Sequence, residues 1–532
     1  MKRLLVATLT ALFVATTAPA QQTPTPEAAA WWKLTTDFAS DSMEGRDTGS
    51  EAYERAAKLV AEHFKADGLK PAGDNGTYFQ RVPMHQVEVD TAHSSVEIVD
   101  AIGAYSPLAL LYETTLVPRA DLPAFTEGQL VFIGYGDAPA DLDLHGKIVV
   151  YFNNLPVANR DGFAAKRART LAQSGAVAIL SIDNPAAIEP AHWPAAYARS
   201  VTIKGATRAA SAVGPFTMRV SAEGAPKLFA GTSVDAYKII ADAEKGLPLP
   251  SMALARKLRV TLKLTEKDIS SPNIMAILPG SDPKLAAEYV AVSAHLDGYG
   301  YGTPVMGDNL YNGALDDVAY VAMLIEMADK LRPWREGDPP ACGVISVGCT
   351  VRVAPPKRSL LIGIFTGEEK GLLGSVYYTQ HLTVPKESIV ADLNLDQLRP
   401  IFPLKILTME GISDSSIGDT AKTVAKQFGI ELRPDRETER RLYSRADNYS
   451  FVRIGVPIAG FIFGYDPGTD EERIYRDWYA RRYHKPQDDL ATPIVWDAAV
   501  KFNDFYRALT LAIANDPAHP MWNPTSPNAP KP

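Results

Sequence analysis

Tyr289-Val290-Ala291-Val292-Ser293-Ala294-His295-Leu296-Asp297 is the stretch on which the reading of this chain turns. A short apolar run rich in strand-forming residues, Tyr289–Ala294, ends at a histidine and, two places on, an aspartate. The pattern returns downstream. Ser359–Phe365 reads as a second strand and leads to Glu368-Glu369, Ile389–Leu395 as a third and leads to Asp396, and Pro457–Phe463 as a fourth. Between the first two, Val318, Val321, Ala322, Leu324, Ile325, Ala328 and Leu331 stripe a helix that Pro333 ends, and Leu372–Leu382 reads as a helix before the third strand. Strands alternating with helices imply right-handed crossovers, hence an α/β fold with a mostly parallel mixed sheet flanked by helices. Ligands in such sheets collect beyond the carboxyl ends of the strands, which is where these ionisable residues fall.

Two more groups lie outward from this frame. Asp316-Asp317 opens the long helix, where the helix dipole favours negative charge but two adjacent carboxylates still repel. Tyr483-His484-Lys485-Pro486-Gln487-Asp488-Asp489 places a histidine in a turn. A single His at a strand end is ordinarily a hydrogen-bonded rim residue. Several strand ends that all carry ionisable groups need a cation to offset their repulsion, and a mixed imidazole and carboxylate set suits Zn²⁺ better than Ca²⁺ or Mg²⁺, which take oxygen shells.

Upstream, Ser50 can cap a helix striped by Tyr53, Ala56, Ala57, Val60 and Phe64 that stops at Gly68. Phe79 to Leu116 alternates like short strands. Strands at Leu130–Gly134, Lys147–Phe152 and Ala176–Ile182, with a helix at Ala164–Ser174, then form a compact module of domain size. Residues 333–357 are a Pro/Gly-rich excursion, and 516–532 reads as a Pro-rich tail that loses order toward its end.

The 532 residues carry 54 Lys+Arg against 62 Asp+Glu, a net charge of −8, in an ordinary globular composition. That excludes fibrous and disordered classes, and without a Lys/Arg-rich run nucleic acid is not an expected partner. Lys2-Arg3, the apolar stretch Leu4–Val14 and Ala18-Pro19-Ala20 have the form of a cleavable signal peptide, so the mature chain is expected to begin at Gln21 and to be periplasmic or secreted. No later segment is apolar for long enough to suggest an integral membrane anchor. Cys342 and Cys349, the only cysteines, could pair in an oxidising compartment or remain free surface thiols. Oligomeric state is not legible.

His295-Leu296-Asp297, the run Gly307–Asp317, Phe365-Thr366-Gly367-Glu368-Glu369-Lys370-Gly371-Leu372-Leu373-Gly374-Ser375, Asn394-Leu395-Asp396 and Tyr483-His484 resemble, in order and spacing, the M28 family of co-catalytic zinc aminopeptidases over about residues 260–515. Asp41–Ser50 is similar to the N-terminal segment of such enzymes. Residues 117–256, with Gly146-Lys147-Ile148-Val149-Val150, resemble a protease-associated (PA) domain, giving a division into signal peptide 1–20, N-terminal peptidase part 21–116, a mainly-β PA-like insert 117–256, catalytic part 257–515 and tail 516–532.

The resemblance implies a zinc-peptidase-like fold and two zinc ions. His295 and Asp396 would hold one, Glu369 and His484 the other, and Asp316 would bridge them. It gives Glu368 the part of general base toward a metal-activated water, Asp297 the part of fixing the His295 ring, and a cis peptide to Asp316-Asp317. Tyr443, ahead of Ala446-Asp447-Asn448, is the implied oxyanion donor, with Tyr449, Tyr475, Tyr479 and Tyr483 as competitors; Ala446 and Asn448 stand where the family usually has Ser and His. The activity implied is removal of N-terminal residues from peptides. Carboxypeptidases and a one-zinc glutaminyl cyclase branch share the resemblance, and a metal-free receptor-like binding protein is the alternative from another class.

Overall fold

In the computed structural model the described residues are 23–137, 142–155, 162–185, 187, 198–206, 215–335 and 353–531. The signal-peptide reading and both cysteines lie outside them. Among the described residues no helix is long and apolar enough to cross a membrane.

The largest element is a ten-stranded sheet. Its centre follows the sequence pattern: Tyr289–His295 lies between Ser359–Phe365 and Ile389–Asn394, parallel to both, and Ile458–Gly464 continues parallel beyond. Each of the seven residues of Ser359–Phe365 is buried, as a strand covered on both faces requires. Around this centre the sheet is mostly antiparallel, apart from the edge strand Glu431–Arg433, which pairs parallel with Ile406–Glu410. Leu264–Leu278 pairs with Ser359–Phe365 on one side and with Phe79–Val89 on the other, while Ile406–Glu410 runs against Ile458–Gly464. These outer strands are long or carry few ionisable markers, which is why the alternation of strands and helices points only to the parallel core.

The striped helix, Ala319–Leu331, is apolar nearly all round because it is covered twice, by the sheet and by Pro26–Ala39, whose Trp31 indole donates to the carbonyl of Ala319 at 2.8 Å. The Ser50-capped helix is Glu51–Ala66, with the Ser50 hydroxyl accepting from the Tyr53 amide.

A second, eight-stranded sheet takes in Ser95–Val99, Phe125–Ile133, Ile148–Phe152, Ala178–Ile182, Phe216–Val220 and Ser251–Thr261 and builds its own core from Ile98, Leu130, Phe132, Val150, Leu180 and Leu258. One strand from this part of the chain, Arg199–Ile203, leaves it and pairs antiparallel with Phe79–Val89 at the edge of the large sheet. That pairing fixes the second sheet beside the carboxyl ends of the central strands.

The C-terminal stretch differs from its expectation. Trp522 donates its indole N–H to the carbonyl of Gly455, and Ser526 and Asn528 donate to the Asp414 carboxylate, so polar anchors and a tryptophan outweigh the proline content.

Candidate metal centre

Strand register brings the site together. His295 pairs with Phe365, three residues before Glu368, and Asn394, two before Asp396, pairs with Ser293. Three neighbouring strands therefore deliver His295, Glu368-Glu369 and Asp396 to one edge. The turn at Ala314–Val318 adds Asp316 through an Asp316-Asp317 peptide that is cis, and His484 arrives from the far end of the chain.

Two donor triads form: His295, Asp316 and Asp396, and Asp316, Glu369 and His484, with the donor atoms of each within 4.8 Å of one another. Asp316 belongs to both. Its Oδ1 lies 3.3 Å from His295 Nε2, and its Oδ2 lies 3.4 Å from His484 Nε2, which is also 3.4 Å from Glu369 Oε2. His295 Nε2, Asp316 Oδ2 and Asp396 Oδ1 are buried without a hydrogen-bond partner. Orphaned donors and acceptors facing one space are costly unless something else satisfies them, and a pair of divalent cations fits this set.

The charges agree. Burial raises the Glu368 carboxyl well above the carboxylate range, and burial with the Asp316 charge lifts Asp396 to about 7. Burial acts on Asp316 in the same direction, but His295 and His484 outweigh it and hold its carboxyl low. Burial would lower His295, yet Asp316, Glu368, Asp317 and Asp297 carry it well above its ordinary value. These directions follow from acids crowded together away from water, a repulsion that a divalent cation would offset.

Support comes from side chains whose parts at the site the sequence pattern does not give. Asp488 accepts from the amides of Leu315 and Asp316 at 3.1 and 3.0 Å, fixing the bridging residue. Asp317 accepts from the amides of His295 and Gln397. Arg46, fully buried, donates to the carbonyls of Leu296, Phe38, Asn312 and Gly313, so the Asp41–Ser50 segment braces the turns on both sides of His295 and Asp316. Gly45 makes the approach possible: its φ is +65°, and a Cβ there would run into the carbonyl oxygen of Tyr311. Nothing in the spacing of Asp488-Asp489 tells which carboxylate turns inward.

Asp297 is placed beside His295 in a different way from the one the resemblance implies. Its carboxylate accepts from the amides of Glu368 and Glu369 and from the Thr48 hydroxyl, while the His295 Nδ1 is 3.1 Å from the Asp297 carbonyl oxygen and 3.8 Å from the carboxylate. The ring is oriented by main chain, and the carboxylate shapes the Glu368-Glu369 turn.

Tyr443 is the residue that the structure does not bring to the site. The turn Leu442–Ser444 shows Leu442 and Ser444 to the cavity over the metal centre and directs the Tyr443 ring against Tyr449. Tyr299 and Tyr483 line that cavity instead, Tyr299 with its hydroxyl 3.2 Å from His484 Nδ1 and Tyr483 stacked on the His484 ring at 3.6 Å. Tyr475 and Tyr479 lie in the core.

Residues 273–510 match the profile of peptidase family M28. Over 270 residues, 47% of this chain, the sequence is 26% identical to the aminopeptidase YwaD of Bacillus subtilis strain 168; the match spans half of that relative's length. The fold is similar to an aminopeptidase from Aneurinibacillus sp. strain AM-1, with a TM-score of 0.56 and 17% identity over 94% of this chain and 96% of that one. It is similar also to a zinc aminopeptidase from Bacillus subtilis, with a TM-score of 0.56 and 17% identity over 92% and 95% of the two chains.

Proposed function

We propose that this chain, a member of peptidase family M28 through residues 273–510, is an exported zinc-dependent aminopeptidase that removes N-terminal residues from peptides. The observation that carries the reading is the pair of donor triads sharing Asp316. His295 and Asp396 would hold one ion, Glu369 and His484 the other, with Asp316 between them. Bound there, two zinc ions would supply polarisation of the scissile carbonyl and a water acidic enough to lose its proton near neutral pH.

The chain's own residues do the rest. Glu368 Oε2 stands 4.0 Å from His295 Nε2, beside the donor set. Its carboxyl, raised by burial, suits taking a proton from the attacking water and returning it to the leaving amine. The Asp297 carboxylate, held by the Thr48 hydroxyl, anchors the Glu368 amide and so positions that base. Asp488 and Arg46 keep the turn carrying Asp316 in place.

The test is a comparison of three substrates on protein of measured zinc content: an unblocked aminoacyl anilide, an N-blocked dipeptide and a peptide beginning with Gln. Release of the aniline with about two zinc per chain is the expected result. Release of only the C-terminal residue, or cyclisation without hydrolysis, overturns the aminopeptidase reading, and absence of any turnover with both ions bound favours a binding protein.

A further inference from the structure

The cavity over the metal centre, about 460 Å³, extends past the metal ligands to Glu410. Leu442, Ala446 and Ile462 wall this extension. Glu410 faces Gly460 across the antiparallel strands Ile406–Glu410 and Ile458–Gly464. A Cβ at position 460 would lie 2.7 Å from Glu410 Oε2 and 2.9 Å from Asn448 Nδ2, so the lack of a side chain there leaves the carboxylate open to the cavity.

Glu410 is 7% exposed, and its side chain accepts one hydrogen bond, from Asn448 Nδ2 at 3.0 Å. No Lys or Arg pairs with it among the described residues. Arg445, the cation lining the same cavity, is exposed at its mouth and donates to the Tyr483 hydroxyl. Burial raises the Glu410 carboxyl to about 7. A carboxylate desolvated without a cation is costly, and a ligand that carries the cation in offsets that cost.

A second cavity of about 440 Å³, between the two sheets, shares Tyr299 and Glu369 with the first and is lined by Val117, Ile179 and Met218. It meets the first cavity at the metal centre and includes none of the residues around Glu410, so a peptide chain that continues into it leaves the Glu410 end for the residue at the substrate's N-terminus.

Resting on the aminopeptidase reading, we propose that Glu410 is a specificity residue of the pocket for the N-terminal side chain and selects lysine and arginine, whose methylene stems lie along Leu442, Ala446 and Ile462 while the cationic end pairs with the carboxylate. The experiment is kcat/KM on the zinc-loaded full chain with Lys, Arg, Leu and Ala anilides, for the natural protein, Glu410→Gln and Gly460→Ala.

The natural protein should favour Lys and Arg over Leu by ~10-fold or more. Glu410→Gln, with zinc content unchanged, should lose ~10²-fold on Lys and Arg while staying within ~3-fold on Leu. Gly460→Ala, which sets a methyl against the carboxylate, should lose activity on Lys and Arg and keep it on Ala. Turnover of Leu at or above Lys and Arg overturns the pocket alone, as does an equal fall on all substrates in Glu410→Gln, which would put Glu410 on the α-ammonium. No turnover of any anilide by the zinc-loaded chain overturns the aminopeptidase reading and this proposal with it.

Discussion

Replacing Asp488 by Ala should damage the metal centre although Asp488 supplies no donor atom to either triad. The side chain is 2% exposed and accepts from two buried amides, those of Leu315 and Asp316, while the bond from the Ala314 amide goes to the Asp488 main-chain oxygen and survives. A hydrogen bond to a charged group contributes about 1.5–3 kcal/mol, so losing two is worth about 3–6 kcal/mol. Burial already raises this carboxyl to about 7, which shows that the native state carries a desolvation cost that the alanine removes. The net loss should therefore fall near the low end, about 2–4 kcal/mol. The freed turn should also cost about 10–100-fold in metal affinity, the usual effect of deleting a group that orients a ligand. Competition with a chromogenic chelator measures the affinity, and thermal unfolding of the metal-free protein measures the stability. Asp488→Asn, which can still accept from one of the amides, should recover part of both. If Asp488→Ala binds both ions as tightly as the natural protein and unfolds at the same temperature, the turn is held by something other than Asp488.

Glu368→Gln should keep its metal content and lose ~10²–10⁴-fold in kcat, read by elemental analysis beside anilide turnover; retained activity would remove Glu368 as the base. Chelation should destabilise the protein, and more so at higher pH. In the metal-free state burial raises Asp396 and Asp488 to about 7 from 3.8, so the native state holds protons that the unfolded chain has released. Their contribution to stability is intact below about pH 4 and is lost as pH rises to about 7. Asp316, held low, works in the opposite sense as a single group. Unfolding temperatures of the chelated protein from pH 5 to pH 8 should fall and should flatten when zinc is restored. Arg46→Met should destabilise by about 3–5 kcal/mol, since four carbonyls lose a charged donor, with the Asp41–Ser50 segment becoming protease-sensitive before the rest of the chain.

The amino-acid sequence determined the parallel centre of the fold and the donor set. Apolar runs ending in His295, Glu368-Glu369 and Asp396 carry both signals in a few adjacent letters, because a central strand buries nearly every residue and, Asp392 apart, carries its charged groups at or just beyond its carboxyl end. Only the tertiary structure decided what stands behind those groups. Asp488 rather than Asp489 turns inward, Arg46 reaches across about 250 positions to the Leu296 carbonyl, Asp297 spends its carboxylate on the Glu368 turn, and Tyr443 faces away while Tyr299 and Tyr483 face in. These are choices of direction at turns and of partners remote in the chain. A pattern of residue types fixes which side chains are able to act, whereas the direction each one points depends on the backbone path of segments brought together only when the sheet has formed.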